Sequence, residues 1–344
     1  MPVKKPIYTA IILAMFIVSC KKKHGSSDVP VPDKPFVTDI YAVGFKIIEG
    51  ATYGIYWKNG QQENITSEFN SAIYSAVTVG TDVYLAGKTS VGATYWKNGN
   101  LVYLAQGFRS SAYTISVSGN DIYVGGAIYK PGDKYERAVY WKNGVEYDLT
   151  DGSTESYVSS IAVNGNDVYT VGQYNLPDNG NTAGTPVATY WKNQTVMTLE
   201  GALVPSYGSF AKGIAINGSD VYVTGYIGFG AALWKNGTLQ PLDDSSGSPL
   251  DAYSFTVGIN GSDIYLGGEH GNEASYWKNG TIKDLISGPF VASGVQCICF
   301  QGSDVYMGGY LGNAPVYWKN DTAHSLQNNG EAYSVTGIAV SRHQ

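Results

Sequence analysis

The chain has 344 residues, 15% of them charged, a net charge of -6 and a pI near 5.2. That balance excludes the clustered basic face that nucleic-acid binding requires. The 43 Gly and 28 Tyr favour short strands and tight turns over helices. Long like-charge blocks, Gln/Asn tracts and coiled-coil heptads are absent.

The N-terminal stretch reads as an address. Lys4 and Lys5 precede an apolar run of thirteen residues, "IYTAIILAMFIVS", which ends at Cys20. A membrane-spanning helix needs roughly 20 apolar residues, so the layout fits a secretory signal instead. The "IVSC" stretch resembles the lipobox of bacterial lipoproteins. That resemblance implies a signal peptide over 1–19 and acylation of Cys20, which would hold the protein on a lipid bilayer in a bacterial cell envelope, facing periplasm or exterior. An ordinary secretory signal that happens to contain Cys20 is the alternative. Residues 20–34, basic and then Pro-rich, read as a flexible linker.

From residue 35 onward one unit recurs. Trp stands at 57, 96, 141, 191, 234, 277 and 318, each time in a Trp-Lys-Asn motif. A second signature, of the type "NDVYTVG", places its aspartates at 39, 82, 121, 167, 220, 263 and 304. Seven interleaved copies of each mean seven copies of one unit. Each copy offers four strand-like runs, here called A to D: "SSIAVNG", "NDVYTVG", "VATYWKN" and "TVMTLEG" in the fourth. The expected fold is all-β, a seven-bladed β-propeller with four antiparallel strands per blade spanning 35–344. The repeat begins in strand B and ends in an orphan strand A, "YSVTGIAVS", so the C-terminal strand should complete the first blade. An open β-solenoid is the rival and would need caps.

Residues present in every blade serve the blade. Asn-Gly after the Trp-Lys pair favours a type I′ hairpin, and the Trp should fill the wedge between blades. Asp opens strand B and Lys closes strand C, so each Asp should pair with the Lys of its own blade. Cys297 and Cys299 alternate along one strand and should be buried small residues, with no disulfide. The layout "DIYVGG…AVYWKNG…YDL" is similar to kelch repeats and, in "YWKNGTIKDL", to the extracellular repeat often called HAF-type. The resemblance implies a propeller but supplies no catalytic residues.

Signatures of enzymatic propellers, metal helices and phosphate loops are missing, so no enzyme activity, metal or cofactor is expected. "DNGNTAG" (178–184) is a faint echo of a calcium loop without its terminal carboxylate. The A–B and C–D connections are short and uniform, while the B–C and D–A connections vary and emerge on one face, where binding belongs. An aromatic recurs there near the start of strand A: Tyr74, Tyr113, Tyr157, Phe210, Tyr253 and Tyr333. Such a ring suits a glycan or an anchored peptide, or it packs loop against blade. Arg109, Arg137, Phe229, Glu269, His270 and Tyr310 are the further candidates for specificity. The expected function is a monomeric, non-catalytic binding module for a glycan or protein partner. The alternative is an extracytoplasmic carbohydrate-active hydrolase or lyase, for which Glu136, Asp178, Asp243, Asp244 and Glu269 offer unmatched acids.

Overall fold

The computed structural model describes residues 36–63, 65, 69–176, 184–204, 207–242, 252–285, 291–328 and 333–344. The signal segment, Cys20, the linker, the 178–183 part of the calcium-like stretch, Asp243 and Asp244 lie outside the described residues. Among the described residues there is no helix, and 28 strands form seven four-stranded antiparallel sheets.

Blade 1 combines β28 (Tyr333–His343) with β1 (Val37–Ile48), β2 (Ala51–Lys58) and β3 (Gln61–Glu63). Blade 2 holds β4 (Ala72–Val79), β5 (Asp82–Thr89), β6 (Gly92–Lys97) and β7 (Asn100–Tyr103). Blade 3 holds β8 (Ser110–Ser118), β9 (Asp121–Ile128), β10 (Arg137–Lys142) and β11 (Val145–Asp148). Blade 4 holds β12 (Ser156–Asn164), β13 (Asp167–Leu176), β14 (Thr185–Lys192) and β15 (Thr195–Met197). Blade 5 holds β16 (Ser209–Asn217), β17 (Asp220–Ile227), β18 (Gly230–Lys235) and β19 (Thr238–Gln240). Blade 6 holds β20 (Ala252–Asn260), β21 (Asp263–His270), β22 (Glu273–Lys278) and β23 (Thr281–Asp284). Blade 7 holds β24 (Ser293–Gln301), β25 (Asp304–Leu311), β26 (Ala314–Lys319) and β27 (Thr322–Ser325).

The innermost strands form a closed ring, β28 lying beside both β4 and β24. The C-terminal strand pairs with β1 from Val37↔His343 to Lys46↔Tyr333, so the first blade is completed as the repeat phase requires. Closure leaves no blade without a neighbour, which removes the exposed edges of an open array.

No Trp is more than 1% exposed. Each packs against the blade before it: Trp96 against Tyr41 and Val43 of blade 1, Trp141 against Tyr84 and Ala86 of blade 2, and Trp57 against Cys297 and Tyr306 of blade 7. Five of the seams are also stitched by a serine that opens the next blade's strand A. Its Oγ accepts from a strand-C amide of the preceding blade: Gly54 to Ser71, Ala93 to Ser110, Ala138 to Ser156, Ala188 to Ser209 and Ala274 to Ser293, at 2.8–3.0 Å. Ser71, Ser156, Ser209 and Ser293 are fully enclosed, so these hydroxyls satisfy amides that burial would otherwise orphan.

All seven Asp–Lys pairs form, from Lys58–Asp39 at 3.2 Å to Lys192–Asp167, Lys235–Asp220 and Lys278–Asp263 at 2.7 Å. The lysine also lies over the ring of the tyrosine two residues after its Asp, 5.2 Å from centroid for Lys142 and Tyr123. The hairpin asparagine does more than turn the chain. Asn193 has φ of 51°, its Nδ2 donates to Asp167 Oδ1 at 2.7 Å, and its Oδ1 accepts from the Val168 amide at 2.7 Å. The same two bonds recur in the other six blades. Hydrogen bonds from Lys192 and then Asn193 hold the Asp167 carboxyl below the usual aspartate range.

Cys297 and Cys299 are free, and burial pushes the Cys297 thiol up, as befits an inert core residue.

Trp141→Ala is expected to destabilise the protein by about 3–5 kcal/mol in urea unfolding, the range for truncating a buried aromatic. The seven aspartates carry a signed pH dependence. Their carboxyls titrate below the ordinary value, so the stability they contribute is complete above that value and is lost as pH falls through the lowered one. Acid unfolding followed by Trp fluorescence should shift to higher pH in Asp167→Asn.

Candidate functional site

The A strands turn inward at a β-bulge whose extra residue is Tyr74, Tyr113, Ser159, Lys212, Phe255, Gln296 and Thr336 in blades 2 to 7 and then 1. The signature glycine of strand B is what makes the bulge possible. A Cβ on Gly172 would stand 1.9 Å from the Tyr157 carbonyl oxygen, and on Gly225 1.8 Å from that of Phe210. Only hydrogen fits there.

The bulge splits the expected aromatic ring. Tyr74 and Tyr113 are bulge residues, whereas Tyr157, Phe210 and Tyr253 stand two positions earlier, opposite Gln173, Tyr226 and Glu269 on strand B. Tyr333 opens β28, and its side chain lies outside the described residues. Where strand A is small, strand B supplies the aromatic: Ser334 faces Phe45 and Gly294 faces Tyr310. Every blade therefore contributes an aromatic from one of three registers, and all of them sit toward the B–C and D–A loops.

These rings touch in sequence around the axis. Phe45, Tyr74, Tyr113 and Tyr157 follow one another with centroids 5.9, 5.2 and 5.9 Å apart. Phe210, Tyr226 and Tyr253 continue at 4.7 and 5.0 Å. Lys212 bridges the two arcs, its Nζ 5.8, 5.3 and 5.8 Å from the centroids of Tyr157, Phe210 and Tyr226. In blades 6 and 7, Tyr310 donates to Glu269 Oε2 at 3.0 Å. Burial pushes the Tyr157 and Tyr310 hydroxyls up to about 12, with Glu269 adding to the second. Burial also raises the Glu269 carboxyl, against the opposing hydrogen bond from Tyr310. Glu155, beside Tyr113 and Tyr157, is raised by burial and then by Glu136.

A cavity of about 190 Å³ follows the axis beside these rings, lined by residues of all seven A strands. Ser75, Thr114, Ser159, Ser160, Thr256 and Thr336 give it a hydroxyl-rich wall, with Lys212 and Phe255 among its lining residues. A larger cleft, about 870 Å³, lies at the seam of blades 3 and 4 over Leu149, Trp191, Met197 and Leu203. Its lining mixes apolar side chains with the carboxylates of Asp148, Asp151 and Glu200, and Asp148 is already held by Lys130 and Arg137; we place the site at the channel mouth, where a cation, hydroxyls and aromatic faces converge.

The remaining candidates are divided. Arg137 is committed to Asp133 and Asp148, and Lys130 shares Asp148. Arg109, largely exposed, pairs with Glu136 at 2.8 Å. His270 Nδ1 lies 3.7 Å from Asp284. Phe229 packs at a tilt against Tyr207, centroids 5.4 Å apart, and both rings are exposed. Lys212, Phe45, Tyr226 and Phe255 were not singled out by the sequence. Their signal is positional: six residues after each signature Asp for strand B, eight before it for the bulge.

No family model and no curated protein matches this chain. Among solved structures, the computationally designed Ika8 protein is 18% identical over 86% of this chain and 89% of its own, with a TM-score of 0.45. The WD40 β-propeller domain of Doa1 is 11% identical over 77% and 84%, with a TM-score of 0.47. A chain of a nidogen/laminin complex is 11% identical over 88% and 98%, with a TM-score of 0.42.

Glu269→Gln checks the electrostatics of the mouth. The raised folded carboxyl value means that ionisation costs the native state, so wild type should lose stability relative to Glu269→Gln as pH rises through that value. Thermal unfolding should show the variant more stable at pH 7, with the difference vanishing in acid.

Proposed function

We propose that this chain is a lipid-anchored, extracytoplasmic binding module whose ligand is a glycan held at the channel mouth. The observation that carries the reading is a band of aromatics, one or more from each blade, at the loop end of a hydroxyl-lined axial cavity. Aromatic faces stack on the C–H surfaces of sugar rings, and hydroxyl walls exchange hydrogen bonds with polyols. The anchor rests on the sequence: Lys4 and Lys5, the apolar run and Cys20.

A hydrolase or lyase acting on the same glycan is the second reading. Glu155 and Glu269, both pushed toward the neutral form at the mouth, are the acids it would use. Both readings meet in one experiment: a glycan array with the full chain, followed by calorimetry and product analysis on each hit. Tyr157→Ala and Tyr253→Ala are expected to weaken binding at least about five-fold, in line with about 1–3 kcal/mol per lost aromatic stack. Lys142→Ala on the opposite face should leave affinity unchanged. Turnover of the bound glycan would replace the binding module with the enzyme, and binding that ignores both tyrosines would move the site elsewhere.

A further inference from the structure

Lys212 stands apart from the lysines of the seven signature pairs. It is half-buried at the bulge of blade 5, where other blades place Tyr, Ser, Phe, Gln or Thr. Among the described residues, no carboxylate lies within ion-pair distance of its Nζ. The ammonium is met instead by three aromatic rings and by the Tyr157 hydroxyl oxygen, to which it donates at 3.3 Å. Since an ammonium only donates, the Tyr157 proton is left to point away from Lys212. The mouth thus presents two adjacent donors, one charged, at the edge of the axial cavity.

We propose that Lys212 and Tyr157 form an anion subsite that reads the carboxylate of an acidic sugar, a uronate, within the glycan. This rests on the glycan reading given above. An ammonium N–H and a phenol O–H set side by side match the two oxygens of one carboxylate, and a charge-assisted bond is roughly twice as strong as a neutral one. The surrounding rings lower the local dielectric and stack on the pyranose that bears the carboxylate. Aromatic faces continue past Lys212 on both sides, through Tyr113 and through Tyr226 to Tyr253, so neighbouring sugars have platforms too. An acidic peptide has no such use for a ring of faces around a hydroxyl-lined hollow.

The test compares an oligogalacturonate with its methyl ester by calorimetry on the full chain. The two share every ring and differ in charge. Wild type should bind the acid at least ten-fold more tightly than the ester, with a preference that shrinks in high salt. Lys212→Met should abolish the preference, Lys212→Arg should retain most of it, and Tyr157→Phe should reduce it while keeping the stacking ring. Circular dichroism and thermal unfolding establish that each variant is folded. Equal binding of acid and ester by wild type overturns the anion subsite and leaves the glycan reading standing. Binding of poly-glutamate with no affinity for either sugar overturns both, as does affinity for none of the three. A preference that survives in Lys212→Met places the anion elsewhere.

Discussion

The fold depends on one packing constraint: each blade offers a Trp that only the preceding blade can bury. Four strands cannot enclose that indole themselves. Trp57 of blade 1 must therefore find blade 7, and it does so against Cys297 and Tyr306. Ring closure follows from this requirement as much as from hydrogen bonding, because an open array would leave one indole facing solvent. A fully buried large side chain contributes about 1.5–3 kcal/mol, repeated at every seam, and the serine clamps satisfy amides that this burial would strand.

The constraint separates the two ends of the molecule. At the end carrying the A–B and C–D turns, the Asp, Asn, Lys and Tyr side chains satisfy one another within each blade. Those lysines face their own aspartates and their own tyrosine rings, so the end is a repeated structural lattice with little left to offer a ligand. At the other end the bulge turns one residue per blade toward the axis. No one partner recurs there: Ser159 and Thr336 donate to backbone carbonyls of their own and the next blade, while other blades fill the position with Tyr, Lys, Phe and Gln. The asymmetry needed for recognition arises where the lattice places fewest demands.

Blade number, strand order, closure and the Asp–Lys pairs were all legible in the sequence, because hairpins are local and their register is set by short turns. Asp167 and Lys192 are brought together by one B–C pairing that needs no knowledge of other blades. The mouth was legible only as a collection. Tyr74 and Tyr157 look equivalent as aromatics near the start of strand A, yet they lie two register positions apart because the bulge falls at one and beyond the other. Blade 7, which places Gly294 where other blades put an aromatic, supplies Tyr310 from strand B opposite it. Ser156 and its counterparts act between blades, a relation that intra-blade reading cannot reach. In the sequence Lys212 is one lysine among many, and that no carboxylate among the described residues pairs with it is a property of three dimensions.

Hydrogen exchange of the full chain, with and without oligogalacturonate, tests directly the claim that the two ends have different work. Binding at the mouth should slow exchange in segments 72–75, 111–114, 156–159, 209–213 and 252–255, where the A strands meet the ring. The Trp-Lys-Asn hairpins at 57–60, 96–99 and 141–144 should exchange as before. Protection at those hairpins, or none at the A-strand starts, would contradict the account.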